Sequence, residues 1–356
     1  MKRKYYNVIG VMSGTSLDGI DLAYIKMTIN PHYKAEVIVA ETYAYPEIWI
    51  EKLQKAVHYN KHKLQELNES YTEYLGEEIN QFMEKNTISR EQVDAICAHG
   101  HTILHQPDQG YTLQIGNLPE IATITQCRVV CDFRVQDVAL GGQGAPLVPI
   151  GDTLLFSSYE YCLNLGGFAN VSLQKGGTRI AYDICAVNTV LNEYAQKLGA
   201  AYDDGGAFAK AGTTHIPLLE QLNALPFFKK SPPKSLGIEW VHRHIFPLIE
   251  KFDLEPKDVL ATFTAHIAQQ LANQFEEGST VLITGGGAYN TFLMTQLKQL
   301  KDVNIVLPDP MLIEYKEAIV FGLLGVLKLE GKNNCLASVT GASKDHSAGM
   351  IWLPSV

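Results

Sequence analysis

The sequence predicts a two-domain α/β protein built around a central cleft. Three observations lead there. The chain has 356 residues, about two domains by length. Each half opens with a strand, a glycine-containing turn and a second strand. Polar, glycine-rich segments recur just past strand ends, where open α/β sheets bind their ligands. The expected division is 1–128 with 337–356 for the first domain and 129–336 for the second.

Composition supports such cores. Apolar residues make up 46% of the chain and charged residues 19%, which excludes intrinsic disorder. Basic residues number 29 against 38 acids, a net charge of -9 that argues against nonspecific nucleic-acid or anionic-membrane binding. The cysteines at 97, 127, 131, 162, 185 and 335 form no CxxC pair and read as reduced, mostly buried thiols. Lys2-Arg3-Lys4 is not followed by the apolar stretch of a signal peptide. The longest apolar run, Ala318 to Leu327, is too short to span a bilayer. The expected location is therefore the cytoplasm.

Tyr5–Met12 and Ile20–Met27 read as strands separated by too few residues for a crossover helix, so they should pair as an antiparallel hairpin, with Ala35–Thr42 as the third strand. Trp49–Glu84 reads as helical, with Leu64, Leu67, Tyr71, Leu75 and Ile79 on one face. Val93–Ala98 is a short strand ending in His99-Gly100-His101-Thr102, and Val129–Cys131 is another, ending at Asp132. Gly141 to Pro146 can only be a loop. In the second half, Glu160–Leu165 precedes Gly166-Gly167, and Val171–Gln174 and Thr178–Tyr182 flank the turn Lys175-Gly176-Gly177. Asp183 falls just past that strand, with a helix over Val187–Leu198. Val281–Thr284 ends in Gly285-Gly286-Gly287, and Glu314–Leu329 is a long apolar helix.

Four segments carry chemistry. In Gly10 to Asp21, the turn amides and hydroxyls of Gly14, Thr15, Ser16, Leu17, Asp18, Gly19 and Ile20 suit phosphate oxygens, and Asp18 and Asp21 suit a magnesium ion that keeps its waters. No GxxxxGK[ST] is present, so this is not a P-loop. Gly166 and Gly167, with Asn170 shortly after, supply a matching turn in the second half. Gly285, Gly286 and Gly287 lie between a strand and a helix and let a flat ligand or a phosphate meet backbone. Together the three favour a nucleotide over a metal alone. The fourth segment runs from Asp132 through Arg134 and Asp137 to the Gly141 loop. Either aspartate can serve as a general base, and Asp137 is favoured by its nearness to the loop. His99 and His101 suit substrate hydroxyls, or fill a buried structural role.

The blocks GVMSGTSLDGID from Gly10, HGHTILHQP from His99, DFRVQDVALGGQGAPLVP from Asp132, LGGFANVS from Leu165, PPKSLGIEW from Pro232, GGGAYN from Gly285 and VTGA from Val339 resemble those of the anhydro-N-acetylmuramic acid kinase family. That family is a branch of the sugar kinase, Hsp70 and actin superfamily. The resemblance runs from Gly10 to Ala342. It implies an actin-like ATPase fold of ribonuclease H-like domains, ATP and Mg2+ as cofactors, and 1,6-anhydro-N-acetylmuramic acid, a recycled cell-wall sugar, as substrate. The implied reaction opens the anhydro bridge with water and moves the γ-phosphoryl of ATP to O6. Its products are N-acetylmuramic acid 6-phosphate and ADP.

The resemblance carries the catalytic aspartate onto Asp137 and the ATP-binding stretch onto Gly14 to Asp21. The substrate side falls on His99, His101, Thr102, Arg134, Asp183 and Asn188. A homodimer is the default assembly, with no nucleic-acid or membrane partner. Two departures stand out. Where the family reads Asp-Thr-Gly-Pro-x-Asn, this chain has Asp183-Ile-Cys-Ala-Val-Asn188, and the Gly-x-x-x-Asp before Glu317 is replaced around Met311 to Tyr315. The alternatives are a carbohydrate kinase without ring opening and a non-catalytic ATP-binding regulator.

Overall fold

A computed structural model describes residues 4–14 and 17–355. The chain divides into two compact units, residues 1–155 with 315–356 and residues 156–314. Thr15 and Ser16, both expected phosphate ligands, lie outside the described residues.

The first unit is built on a seven-stranded sheet. β1 (Tyr5–Ser13), β2 (Ile20–Thr28) and β3 (Lys34–Tyr43) form an antiparallel meander, and Ser13 stands opposite Ile20 at the mouth of the first hairpin. β4 (Ala95–Gln106) then pairs parallel with β1, and β6 (Val129–Cys131) parallel with β4. β5 (Tyr111–Ile115) folds back on β4. The second unit has β7 (Tyr161–Leu165), β8 (Phe168–Lys175) and β9 (Thr178–Ala186) as its meander. β10 (Thr280–Thr284) pairs parallel with β7, and β11 (Asn304–Val306) with β10. β12 (Met350–Trp352) returns to pair antiparallel with β6.

The two sheets share one plan. The order β3-β2-β1-β4-β6 in the first is repeated as β9-β8-β7-β10-β11 in the second, with the same strand directions. A three-stranded meander followed by two parallel strands is the ribonuclease H-like plan of the actin-like class. The duplication expected from the paired hairpins is therefore present at the level of topology.

The boundaries differ from those expected. Val129 pairs with Ile96, and the segments 129–155 and 315–336 both belong to the first unit. The reason lies in the long apolar helix Pro310–Leu329, which packs on the first sheet through glycine. A Cβ on Gly10 of β1 would stand 1.9 Å from the Ala318 carbonyl oxygen, and one on Gly325 would stand 2.1 Å from Cys97 Sγ. Only bare backbone permits that approach. The Trp49–Glu84 expectation resolves into Glu47–Lys55, a short 3-10 turn and Lys61–Lys85, whose Leu64, Leu67, Tyr71, Leu75, Ile79 and Phe82 are buried as the periodicity required. Each unit has its own apolar core. All six cysteines are free and buried.

Two strand ends are later than the sequence suggested, and both matter for the site. β4 runs on through His99, His101 and Thr102 because β5 pairs with it, so these side chains project from a strand rather than a loop. β9 continues to Ala186, which places Asp183 within the strand, opposite Asn170 of β8.

Candidate active site

In the first unit the predicted residues form two hydrogen-bonded groups. Asp137 sits on the short helix Val135–Ala139 and has no exposed surface. Its Oδ2 accepts the Gly144 N–H at 2.7 Å and its Oδ1 accepts the Thr340 hydroxyl at 2.8 Å. A Cβ on Gly142 would stand 2.2 Å from that Oδ2, so glycine lets the loop wrap the carboxylate. Arg134, half-buried, donates from Nη1 to the Gly144 carbonyl at 2.6 Å and from Nε to His99 Nε2 at 2.8 Å. His99 Nδ1 in turn donates to the Gly100 carbonyl at 2.8 Å. That assignment makes the ring neutral, and burial followed by the Arg134 charge holds it far below the usual histidine range.

The second group lies at the first hairpin. His101 Nδ1 shares a hydrogen bond with Ser13 Oγ at 2.7 Å, and Ser13 Oγ another with the Tyr45 hydroxyl at 2.6 Å, which continues to Tyr71. Burial lowers His101 to about 4 and raises Tyr45 to about 12. Thr102 accepts a longer bond from Gln114 at 3.3 Å. Leu17 closes the hairpin turn onto the Gly14 carbonyl with a left-handed backbone. Asp18 is exposed, and Asp21 Oδ1 accepts the Thr42 hydroxyl at 2.6 Å. Both carboxylates act on Tyr45, so the hairpin mouth carries a negative field made of hard oxygens.

Asp132 follows β6 with φ of 59°, a sparsely populated conformation for a residue with a side chain. It is half-buried, and burial raises its carboxyl.

In the second unit the two glycine turns meet. Gly166 and Gly167 carbonyls accept the amides of Val187, Asn188 and Thr189 at 2.8 to 3.3 Å, so the departure from Gly-Pro leaves the turn closed. Asn188 donates to the Leu165 carbonyl at 3.5 Å. A Cβ on Gly285 would reach Asn164 Oδ1 at 2.7 Å, while one on Gly286 would find only Asn188 Nδ2, at 3.8 Å. Gly167 and Gly286 are exposed, so bare backbone is open to a ligand beside Asn188. Asn170 is exposed on β8. Asp183 Oδ2 accepts the Leu236 N–H at 2.8 Å, and its own N–H donates to the Lys234 carbonyl at 3.0 Å. Asp183 is half-buried, and burial raises its carboxyl against the lowering effect of that bond.

The sequence profile described as anhydro-N-acetylmuramic acid kinase matches residues 6–354. The chain belongs to the anhydro-N-acetylmuramic acid kinase family. It is 35% identical over 379 residues to the protein of that name from Mannheimia succiniciproducens, covering 99% of this chain and 100% of that one. It is 35% identical over 376 residues to the one from Nitrosospira multiformis, with 99% and 100% covered. For Haemophilus influenzae the identity is 34% over 382 residues, with 99% and 98% covered.

Several residues at these sites were not assigned a role from sequence. Thr340 lies in the VTGA block, which marked the family but not a contact to Asp137. Ser13 and Tyr45 bind the His101 side, and Leu236, within the PPKSLGIEW block, orients Asp183. His346 carried no signal at all.

Proposed function

We propose that this chain is an ATP-dependent anhydro-N-acetylmuramic acid kinase that opens the 1,6-anhydro bridge with water and phosphorylates O6, in the recycling of cell-wall sugars. The reading is supported by the family match over nearly the whole chain and by the exposed backbone of Gly167 and Gly286, the latter beside Asn188. Water attacks C1 as its proton passes to a carboxylate, the bridge C1–O bond breaks, and O6 is freed as the nucleophile for phosphoryl transfer. Gly14 and its hairpin, Gly166, Gly167, Asn170 and Gly285 to Gly287 would hold the nucleotide. Asp18 and Asp21 fit magnesium, a hard cation that takes carboxylate oxygens. When bound, magnesium-ATP supplies the phosphoryl group and a cation to offset its charge. The cytoplasm and a homodimer complete the proposal.

We read the general base as a different residue from Asp137, the one favoured by its nearness to the glycine loop. A base needs an oxygen that a water can reach. Asp137 has no exposed surface, and both its oxygens already accept short hydrogen bonds. Asp183 is accessible, is oriented by the Leu236 amide through Oδ2, and has no other side-chain hydrogen bond among the described residues. Burial raises its carboxyl, the direction that favours taking up a proton. We therefore assign the base to Asp183 and give Asp137 the task of holding the glycine loop. Asp132 is the second reading, because it is also accessible and raised, yet no hydrogen bond among the described residues orients it.

The test is turnover of 1,6-anhydro-N-acetylmuramic acid with magnesium-ATP in isotopically labelled water. One ADP per sugar, phosphate on O6 and one labelled oxygen at C1 are expected. A phosphorylated sugar with its bridge intact would sink the ring-opening step. Unchanged sugar beside tight ATP binding would favour the regulator.

A further inference from the structure

The glycine turn after β10 presents one open edge. Gly286–Tyr289 is a 3-10 turn in which Gly286 and Tyr289 are exposed while Gly287 and Ala288 are buried. Residues three apart in such a turn eclipse one another, so the Tyr289 side chain leaves on the side where Gly286 has none. That side is free of other atoms, since a Cβ on Gly286 would meet only Asn188 Nδ2, at 3.8 Å. The Tyr289 ring is 43% exposed, and its hydroxyl donates to Glu314 Oε1 at 2.8 Å. The first turn of the helix Pro310–Leu329 is tied to the same place through the main chain, because the Gly285 amide donates to the Ile313 carbonyl at 3.2 Å. The ring is thus held at its hydroxyl and the backbone beside it at Gly285. Asn188, the turn, Ile313 and Glu314 all lie in the second unit. Glu314 falls in the stretch Met311 to Tyr315, where the sequence departs from the family pattern.

Bare backbone next to an exposed aromatic ring offers a planar group a floor and a wall. By composition alone, these glycines admit either a flat ligand or a phosphate. Glu314 separates the two. A phosphate brought to Tyr289 would carry its charge toward a carboxylate, and like charges repel. A neutral heteroaromatic base meets no such repulsion. It also gains from the ring itself, because every base has a π face and stacking needs no particular hydrogen-bond pattern.

We propose that Tyr289 binds the base of the nucleotide, which lies over Gly286 against the Tyr289 ring, and that Glu314 is a positioning residue that holds this ring in place. The phosphates then lead away from Glu314. The inference rests on the kinase reading for the presence of a nucleotide and goes beyond it in naming what meets the base. The competing account makes Tyr289 a surface ring whose bond to Glu314 only fastens the glycine turn to the long helix. The two accounts part on a ligand that has the phosphates and lacks the base.

Calorimetry on the full chain tests this with two probes, a nonhydrolysable ATP analogue with magnesium and inorganic tripolyphosphate with magnesium. Tyr289→Ala should weaken the analogue roughly 5- to 150-fold, the span of one base–aromatic stack, and leave tripolyphosphate unchanged. Tyr289→Trp keeps a wall and should keep the analogue's affinity. Glu314→Ala should weaken the analogue less than Tyr289→Ala does. Glu314→Gln should restore it, because the side-chain carbonyl still accepts from the hydroxyl. In turnover, Tyr289→Ala should raise KM for ATP while KM for the anhydrosugar stays the same. Thermal melts establish that each variant is folded, and Tyr289→Ser replaces Tyr289→Ala should the latter fail to fold. Unchanged affinity for the analogue in the small-residue variant overturns the proposal. Equal weakening of both probes overturns it as well, since the ring then serves only the turn. Equal affinities in Glu314→Ala and Glu314→Gln overturn the positioning half. If the unmodified chain binds neither probe, the nucleotide reading fails and the base site falls with it. If it binds both and Tyr289 proves indifferent, the base site alone is lost.

Discussion

Asp137 and Thr340 lie 203 positions apart in the chain and meet at 2.8 Å, carboxylate to hydroxyl, with neither residue more than 1% exposed. The Gln143 amide donates to the Thr340 carbonyl at 2.7 Å, and the Ser343 amide to the Leu140 carbonyl at 3.0 Å. These bonds tie the glycine loop after β6 to the C-terminal segment. The VTGA block is thereby a structural part of the site, which explains why a short motif so near the chain end goes with the loop chemistry.

Thr340→Val removes a donor from a buried carboxylate while keeping the side-chain volume. Hydrogen bonds to charged groups contribute about 1.5–3 kcal/mol, so the first unit should lose that much stability. Thr340→Ser should retain most of it. Thermal and urea unfolding of the two variants provide the check. A Thr340→Val protein as stable as the original would mean that Asp137 finds another donor.

Asp183→Asn should leave folding and nucleotide binding nearly unchanged and reduce kcat by roughly 10²–10⁴-fold, the usual range for loss of a general base. Asp137→Asn should instead lower stability, because a neutral amide replaces a buried carboxylate whose two oxygens accept from the Gly144 amide and the Thr340 hydroxyl, and only one of those positions can remain a carbonyl oxygen. Both must be assayed at saturating sugar and ATP so that weak binding does not pass for slow chemistry. If Asp183→Asn turns over normally and Asp132→Asn does not, the base is Asp132.

The fold was legible because two strong local signals recur. A strand, a short turn and a strand cannot form a crossover, and that constraint, met once near Gly14 and again near Gly166, fixes both meanders. The domain limits were less legible. Val129–Cys131 is short enough to belong to either sheet, and only its pairing with β4 decides. The burial of Asp137 was also beyond sequence. Its nearness to the Gly141 loop is visible along the chain, but its complete burial depends on Thr340 and His346, which no spacing rule connects to it. Asp183 read as a residue just past a strand because the tetrapeptide Asp183 to Ala186 gives no turn signal and no alternation, whereas the structure extends β9 through it with help from Lys234 and Leu236.

Acid should destabilise the hairpin that carries Ser13. Burial depresses His101 from 6.5 to about 4, so between those values the unfolded chain binds a proton that the folded chain does not. Stability is therefore full above pH 6.5 and falls as pH drops toward about 4. At 1.36 kcal/mol per pKa unit this single group accounts for about 3 kcal/mol. His99 and His266 shift in the same direction and add to the loss. Melting curves of the unmodified chain and of His101→Asn across this range isolate the share of His101. The variant should be less stable at neutral pH and shallower in its acid dependence. Parallel curves would show that the ring is not held neutral by burial.

A buried ion pair gives the last prediction. Lys316 Nζ and an Asp152 oxygen stand 2.8 Å apart, with both residues at most 5% exposed. Asp152 belongs to the helix Pro149–Leu155 and Lys316 to the helix Pro310–Leu329. Those helices approach closely, since a Cβ on Gly151 would stand 2.4 Å from Val320 Cγ2. Asp152→Asn removes the carboxylate that stands 2.8 Å from a buried ammonium, and breaking a buried pair from one side costs about 3–5 kcal/mol in comparable settings. Removing both charges is a different perturbation, because the desolvation penalty disappears together with the attraction. The double variant Asp152→Leu with Lys316→Met should therefore recover most of the stability lost in Asp152→Asn, despite having lost more polar contacts. Urea unfolding of the three proteins measures this. A double variant less stable than Asp152→Asn would mean that the pair contributes through its hydrogen-bonding geometry at the helix contact, beyond the cancellation of its two charges.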